Sequence, residues 1–134
     1  MTLGDEVRPV RIGAGYDYLS GDDATTANKR EGFDTLFDDS HKFYGLMDLV
    51  SSFGSSGGLK DLKFNVGATV YRTETSAVKL GGEFHNFSLA EAGTGASGIG
   101  NEVDLHASWA YRERFVPTIG FSAFMPGDVI TVPT

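Results

Sequence analysis

NEVDLHASWAYRERFVPTIGFSAFMP, residues 101–126, is the stretch that decides the fold. It opens on a clean period of two. Val103, Leu105, Ala107, Trp109 and Tyr111 fall on one face; Glu102, Asp104, His106, Ser108 and Arg112 fall on the other. Successive side chains of a strand point to opposite faces, so one face is apolar and the other charged. Two architectures use such a strand. A soluble sandwich covers the apolar face with a second layer. A membrane barrel turns that face to lipid and keeps the charges in a wet lumen.

Working outward, the same alternation recurs along the chain. It predicts strands at about 7–19, 41–50, 60–72, 77–88, 101–112 and 115–125. Val10, Ile12, Ala14, Tyr16 and Tyr18 alternate with Arg11, Gly13, Gly15 and Asp17. In 41–50, Phe43, Gly45, Met47 and Leu49 alternate with Lys42, Tyr44, Leu46 and Asp48. Leu62, Phe64, Val66, Ala68 and Val70 oppose Lys63, Asn65, Gly67, Thr69 and Tyr71. Val78, Leu80, Gly82 and Phe84 oppose Lys79, Gly81, Glu83, His85 and Phe87. No helical period runs long enough to compete. The fold class expected is all-β, an antiparallel up-and-down meander of about six long strands forming part of a transmembrane barrel, with residues 1–134 as one partial barrel domain.

Composition agrees. The 134 residues include 18 glycines, 10 phenylalanines, 5 tyrosines and 1 tryptophan against 4 prolines, the mix of a turn-rich β protein. No run approaches the roughly 20 apolar residues of a membrane helix, which leaves a barrel open, because alternation masks its strands. Cysteine is absent, so disulfides and thiolate metal sites are excluded. A net charge of −7 with no basic stripe speaks against nucleic acid as a partner. MTLGDEVRPV has no basic segment followed by an apolar one, so an exported protein would carry its leader in a precursor.

Strand length and aromatic placement favour the membrane. A tilted spanning strand needs about 9 to 11 residues, whereas globular strands average about 5 to 6. Tyr16, Tyr18, Trp109 and Tyr111 sit near strand ends on the apolar face, where an aromatic girdle belongs. The polar faces carry Arg11, Lys42, Lys63, Lys79 and Arg112 together with Asp17, Asp48, Glu83, Glu102 and Asp104. Such a wall suits water and not a soluble core, where unpaired charge is costly.

Other chemistry is thinner. The connection 20–40 holds Asp22, Asp23, Asp34, Asp38 and Asp39, which raises calcium, but without EF-hand spacing. His85 and His106, beside Glu83 and Asp104, raise zinc, but without a metalloprotease spacing; His41 is the third histidine. No nucleophile elbow and no phosphate cradle occur. Neither an enzyme, a cofactor nor a resident metal is expected.

A family resemblance rests on an ordered set of runs. GYDYLSGDD at 15–23, FDTLF at 33–37, HKFYGLMDLV at 41–50, LKDLKFNVGA at 59–68, GGEFHNFSLAEA at 81–92, GNEVDLHASWAY at 100–111 and IGFSAFMPGDVI at 119–130 resemble the C-terminal third of the alginate-export family of Gram-negative outer-membrane barrels. The resemblance implies passive movement of a polar or anionic solute, such as a polysaccharide, through a lumen in the outer membrane. It implies as partners the lipid bilayer, the solute, and the remaining barrel strands or neighbouring chains. The family ends on one more strand, closing on an aromatic residue, so this chain is expected to be a portion of a larger barrel. Carboxylates matching the lysines and arginines one for one depart from a polyanion path.

Faces and resemblance together assign the wall. Arg11, Lys63, Lys79 and Arg112 would attract anionic groups. Asp48, Glu83, Glu102 and Asp104 would tune selectivity. His85, Tyr71 and Phe87 would touch passing solute, and His106 completes the lining. The family's topology makes 73–76 and 112–114 periplasmic and 51–59 and 89–100 extracellular. Strand parity then puts 20–40 on the periplasmic side, as a plug, a gate or a hidden strand. The rival functions are a structural barrel scaffold in an envelope complex and a soluble β-barrel binding module.

Overall fold

The computed structural model describes residues 2–3, 9–23, 25–34, 43–50, 57–93, 95–112 and 114–130. Asp38, Asp39, His41, Lys42 and residues 51–56, named above, lie outside the described residues, as does Glu113 in the 112–114 link. Alternating runs of β-branched and aromatic residues build the strands, as expected of a pleated surface with two unlike faces. They are β1 (Thr2–Leu3), β2 (Val10–Leu19), β3 (Leu59–Arg72), β4 (Ser76–Ser88), β5 (Gly98–Tyr111) and β6 (Thr118–Pro126). Among the described residues they form one sheet in the order β1-β2-β3-β4-β5-β6. Every neighbouring pair is antiparallel. The fold is therefore an all-β up-and-down meander in a single open layer.

The register gives the two faces row by row. One face carries Ala14, Phe64, Phe84, Val103 and Ala123 in one row and Ile12, Val66, Gly82, Leu105 and Phe121 in the next. The row after that is Val10, Ala68, Leu80, Ala107 and Ile119. This face is open: Ile119 is 75% exposed and Phe121 65%. It ends in polar or aromatic groups at both margins. Asn86 donates to Asn101 at 2.7 Å at one end, near Tyr16 and Tyr18. At the other, Trp109 Nε1 donates to Ser76 Oγ at 2.6 Å, and the Trp109 ring meets Tyr111 and Phe115. From Asn101 to Tyr111, β5 runs about 34 Å, or about 26 Å at a tilt of ~40°, close to the ~25 Å apolar band of a membrane barrel.

Residues 43–50 are not a strand. Their alternation was weak, since Tyr44 and Leu46 put apolar groups on the nominally polar face. Gly45 at φ +86° and Asp48 at φ +55° break the extended path. β2 and β3 are thus consecutive and pair directly, from Val10↔Ala68 to Leu19↔Leu59. The expected periplasmic placement of 20–40 falls with that strand. The connection from β2 to β3 leaves and returns at the same end of the sheet as the β4–β5 loop. Glu91 N donates to Gly57 O at 2.8 Å across the two connections. Long connections gather at this end, and the short links 73–75 and 112–117 at the other.

Candidate functional site

The charged face is built from four rows. Asp17, Asp61, Phe87 and Gly100 lie nearest the long-loop end. Gly15, Lys63, His85, Glu102 and Phe124 follow, then Gly13, Asn65, Glu83, Asp104 and Ser122. Arg11, Gly67, Gly81, His106 and Gly120 form the fourth. Beyond them lie Thr69, Lys79 and Ser108.

A lone sheet leaves both faces open unless something lies on it. Here residues 43–50 lie on the charged face. Val50 joins Leu19, Leu59, Phe87 and Ile99 in a fully buried apolar cluster, with Tyr44, Leu89, Phe124 and Ile130 packed around it. Beside that cluster, Leu46 N donates to Asp104 Oδ2 at 3.3 Å and Met47 N to Glu102 Oε1 at 2.9 Å. Lys63 Nζ reaches Phe43 O at 3.4 Å and forms an ion pair with Asp17 at 2.5 Å. Gly45 is needed here twice over. Its φ is left-handed, and a Cβ would stand 2.5 Å from Glu102 Oε1.

Beneath the segment sits a buried polar network. His85 Nδ1 is 2.9 Å from Asp61 Oδ2, and Nε2 is 3.5 Å from Glu83. The His85 ring stacks on Phe87 with centroids 5.2 Å apart. Glu102 is 0% exposed and Asp104 1%. Burial of this kind normally costs several kcal/mol per ion unless partners compensate (about 1.5–3 kcal/mol for each hydrogen bond to a charged group). The amides of Leu46 and Met47 supply part of that compensation.

Charge is segregated along the face. Carboxylates dominate under the segment. Cations gather toward the short-link end, where Arg11, Arg72 and Lys79 share a groove with Gly67, Thr69 and His106. An adjoining groove of about 510 Å³ runs between Arg72, Lys79 and Arg112 along the 73–76 link. His106 lies over Gly81, whose missing side chain leaves room for the ring.

The sequence-predicted residues thus divide. Arg11, Lys63, Lys79, Glu83, His85, Phe87, Glu102, Asp104 and His106 share the charged face, and Arg112 flanks it at a link. Asp48 lies on the in-folded segment and not on a strand. Tyr71 is on the other face. A bulge between Thr69 and Tyr71 pairs it with Val78, whose partner on β5 is Trp109. His85 and Phe87 are covered, so they do not present themselves to a passing solute. Arg72 was missed because the same bulge reverses its parity and sets it opposite Ala77. Asp61 was missed although it lies inside the expected strand 60–72 and shares parity with Lys63.

At the long-loop end Asp22, Asp23 and Glu31 each bring an oxygen within 4.8 Å of the others, the one such group of possible metal ligands among the described residues. The amide and hydroxyl of Thr25 both donate to Asp23 and hold its carboxyl below the usual aspartate range. His85 and His106 lie two rows apart on the face.

A single open antiparallel layer with one apolar and one charged face is consistent with part of a β-barrel wall. A family model described as alginate export matches residues 6–132. The chain belongs to this family, whose role is transport. No curated protein and no solved structure matches it.

Proposed function

We propose that this protein forms part of the wall of an outer-membrane channel for polar or anionic solutes, with the apolar face against lipid and the charged face on the lumen. The observation that carries this is the open apolar face itself. Ile12, Val66, Leu105, Phe121 and Ile119 are all exposed on one side of one layer. In water such a face would drive aggregation; against lipid it needs no cover. Family membership supports transport as the role. Five long strands cannot close a membrane barrel, for which about eight is the minimum. Further strands, in the same polypeptide or in neighbours, complete the wall.

The short links then face the periplasm and the long connections the outside, the usual arrangement of such barrels. Arg11, Arg72, Lys79 and Arg112 meet an anionic solute at the periplasmic mouth. A polysaccharide such as alginate fits that end. The acidic rows further out do not favour a polyanion, so alginate is one solute among polar ones.

Single-channel recording of the full-length protein in a planar bilayer tests this. Unitary steps are expected. Neutralising Arg72, Lys79 and Arg112 to Gln should shift the reversal potential in a salt gradient toward cation preference. Absence of steps contradicts the channel; an unchanged reversal potential contradicts the role of the cationic mouth.

A further inference from the structure

We propose that residues 43–50 are the constriction of the channel, an in-folded segment that narrows the lumen with an apolar rim, and that Glu102 and Asp104 are the positioning residues that hold it against the wall. The proposal rests on the channel reading above.

Four observations on one small patch carry it. First, two successive amides, of Leu46 and Met47, donate to two carboxylates that stand two residues apart on β5. Alternation puts Glu102 and Asp104 on the same face with about 7 Å between them, which suits a turn of chain laid across the strand. Secondly, that turn exists because Gly45 takes a left-handed φ, and Glu102 Oε1 occupies the space a side chain would need. The carboxylate and the glycine fit each other. Thirdly, the segment is anchored at its far end by Val50, fully buried against Leu19, Leu59, Phe87 and Ile99. Lys63 Nζ holds the near end through Phe43 O. Fourthly, what remains outward is apolar: Phe43, Leu46, Met47 and Leu49 are each about two-fifths exposed on the lumen side.

The consequence is a reversal of the wall's character at this level. Below it, toward the short links, a solute meets Arg11, Arg72 and Lys79. At the segment it meets Phe43, Leu46, Met47 and Leu49, while Glu102 and Asp104 are screened behind them. An apolar narrowing hinders hydrated ions by dewetting. The carboxylates act through the segment and do not line the path.

The test uses the full-length protein in planar bilayers. Replacing residues 43–50 with a glycine–serine segment of the same length should raise unitary conductance roughly twofold or more, as the narrowing sets the resistance. Glu102→Gln with Asp104→Asn should give an intermediate, noisier rise. Wild-type conductance in the replacement variant overturns the proposal. A second variant separates loss of the clasp from loss of fold. Because the chain has no cysteine, Met47→Cys with Glu102→Cys can be joined by a short bis-thiol reagent. Crosslinking should proceed in the reconstituted protein and return the conductance to the wild-type value. No crosslink on a gel overturns the inward placement. That gel result is read without current, so a silent wild type would sink the channel reading alone and leave the position of the segment tested.

Discussion

At the scale of single residues, the charged face is organised by a few groups that a chain this short seldom buries. His85 and Asp61 are hydrogen-bonded at 2.9 Å with exposures of 1% and 0%. Asp61 Oδ1 accepts nothing from the described residues, so His85 is the partner that satisfies its carboxylate. His85→Ala should therefore cost about 1–3 kcal/mol, the penalty of a buried acceptor left unmet. Adding Asp61→Leu should recover part of that loss. Urea unfolding of the refolded protein in micelles measures both; equal losses in the single and double variants would mean the pair does not act as one unit. These residues were partly legible. His85 was placed on the right face by parity alone. That it is covered was not legible, because the cover comes from a segment far away in sequence.

At the scale of elements, the strands with strong alternation were legible and those without were not. β3, β4 and β5 carry apolar residues at every second position and appear within a few residues of the expected bounds. Residues 43–50 read as a strand only if Tyr44 and Leu46 are tolerated on the polar face. Their positive φ angles at Gly45 and Asp48 leave no trace in a pattern of polarity. The bulge at Val70 was equally silent, and it moved Tyr71 to the apolar face and Arg72 to the charged one. Removing the spurious strand also removes the one oddity of topology, a long connection among the short links. The element-scale prediction concerns the margin of the apolar face. Trp109 is the sole tryptophan, and it stands on that face with Tyr71 and Val78 as register neighbours. Its fluorescence in vesicles should be quenched by lipids brominated near the headgroup more than by lipids brominated near the chain ends. Equal insensitivity to both would remove the girdle.

At the scale of the whole molecule, one layer presents two unlike faces, and a segment laid on one of them makes that face uneven. In the proposed membrane wall the apolar face needs no partner within the protein, since lipid is as apolar as a leucine side chain. The charged face instead carries the cover, an in-folded segment with its own small apolar cluster. The division between a cationic end and an acidic, partly screened region of the charged face follows from register. Rows bearing Arg11, Lys79 and His106 lie toward the short links; rows bearing Asp61, Glu83, Glu102 and Asp104 lie toward the long ones. Family membership was legible from the ordered runs, and the matched residues 6–132 cover all of them. That the sheet has one apolar and one charged face was legible as alternation. Which part of the charged face is covered was not, since it depends on how residues 43–50 fold back.

The most direct test of the two-faced wall is a nitroxide scan of β5 from position 103 to 109 in the full-length protein reconstituted into vesicles. The chain's lack of cysteine makes each single-cysteine variant specific. Collision with oxygen, which concentrates in lipid, should peak at 103, 105, 107 and 109. Collision with a water-soluble nickel chelate should peak at 106 and 108, out of phase with oxygen. The reverse phase would put the charged face toward lipid, and in-phase profiles would mean both faces share one solvent; either result contradicts a wall between lipid and lumen.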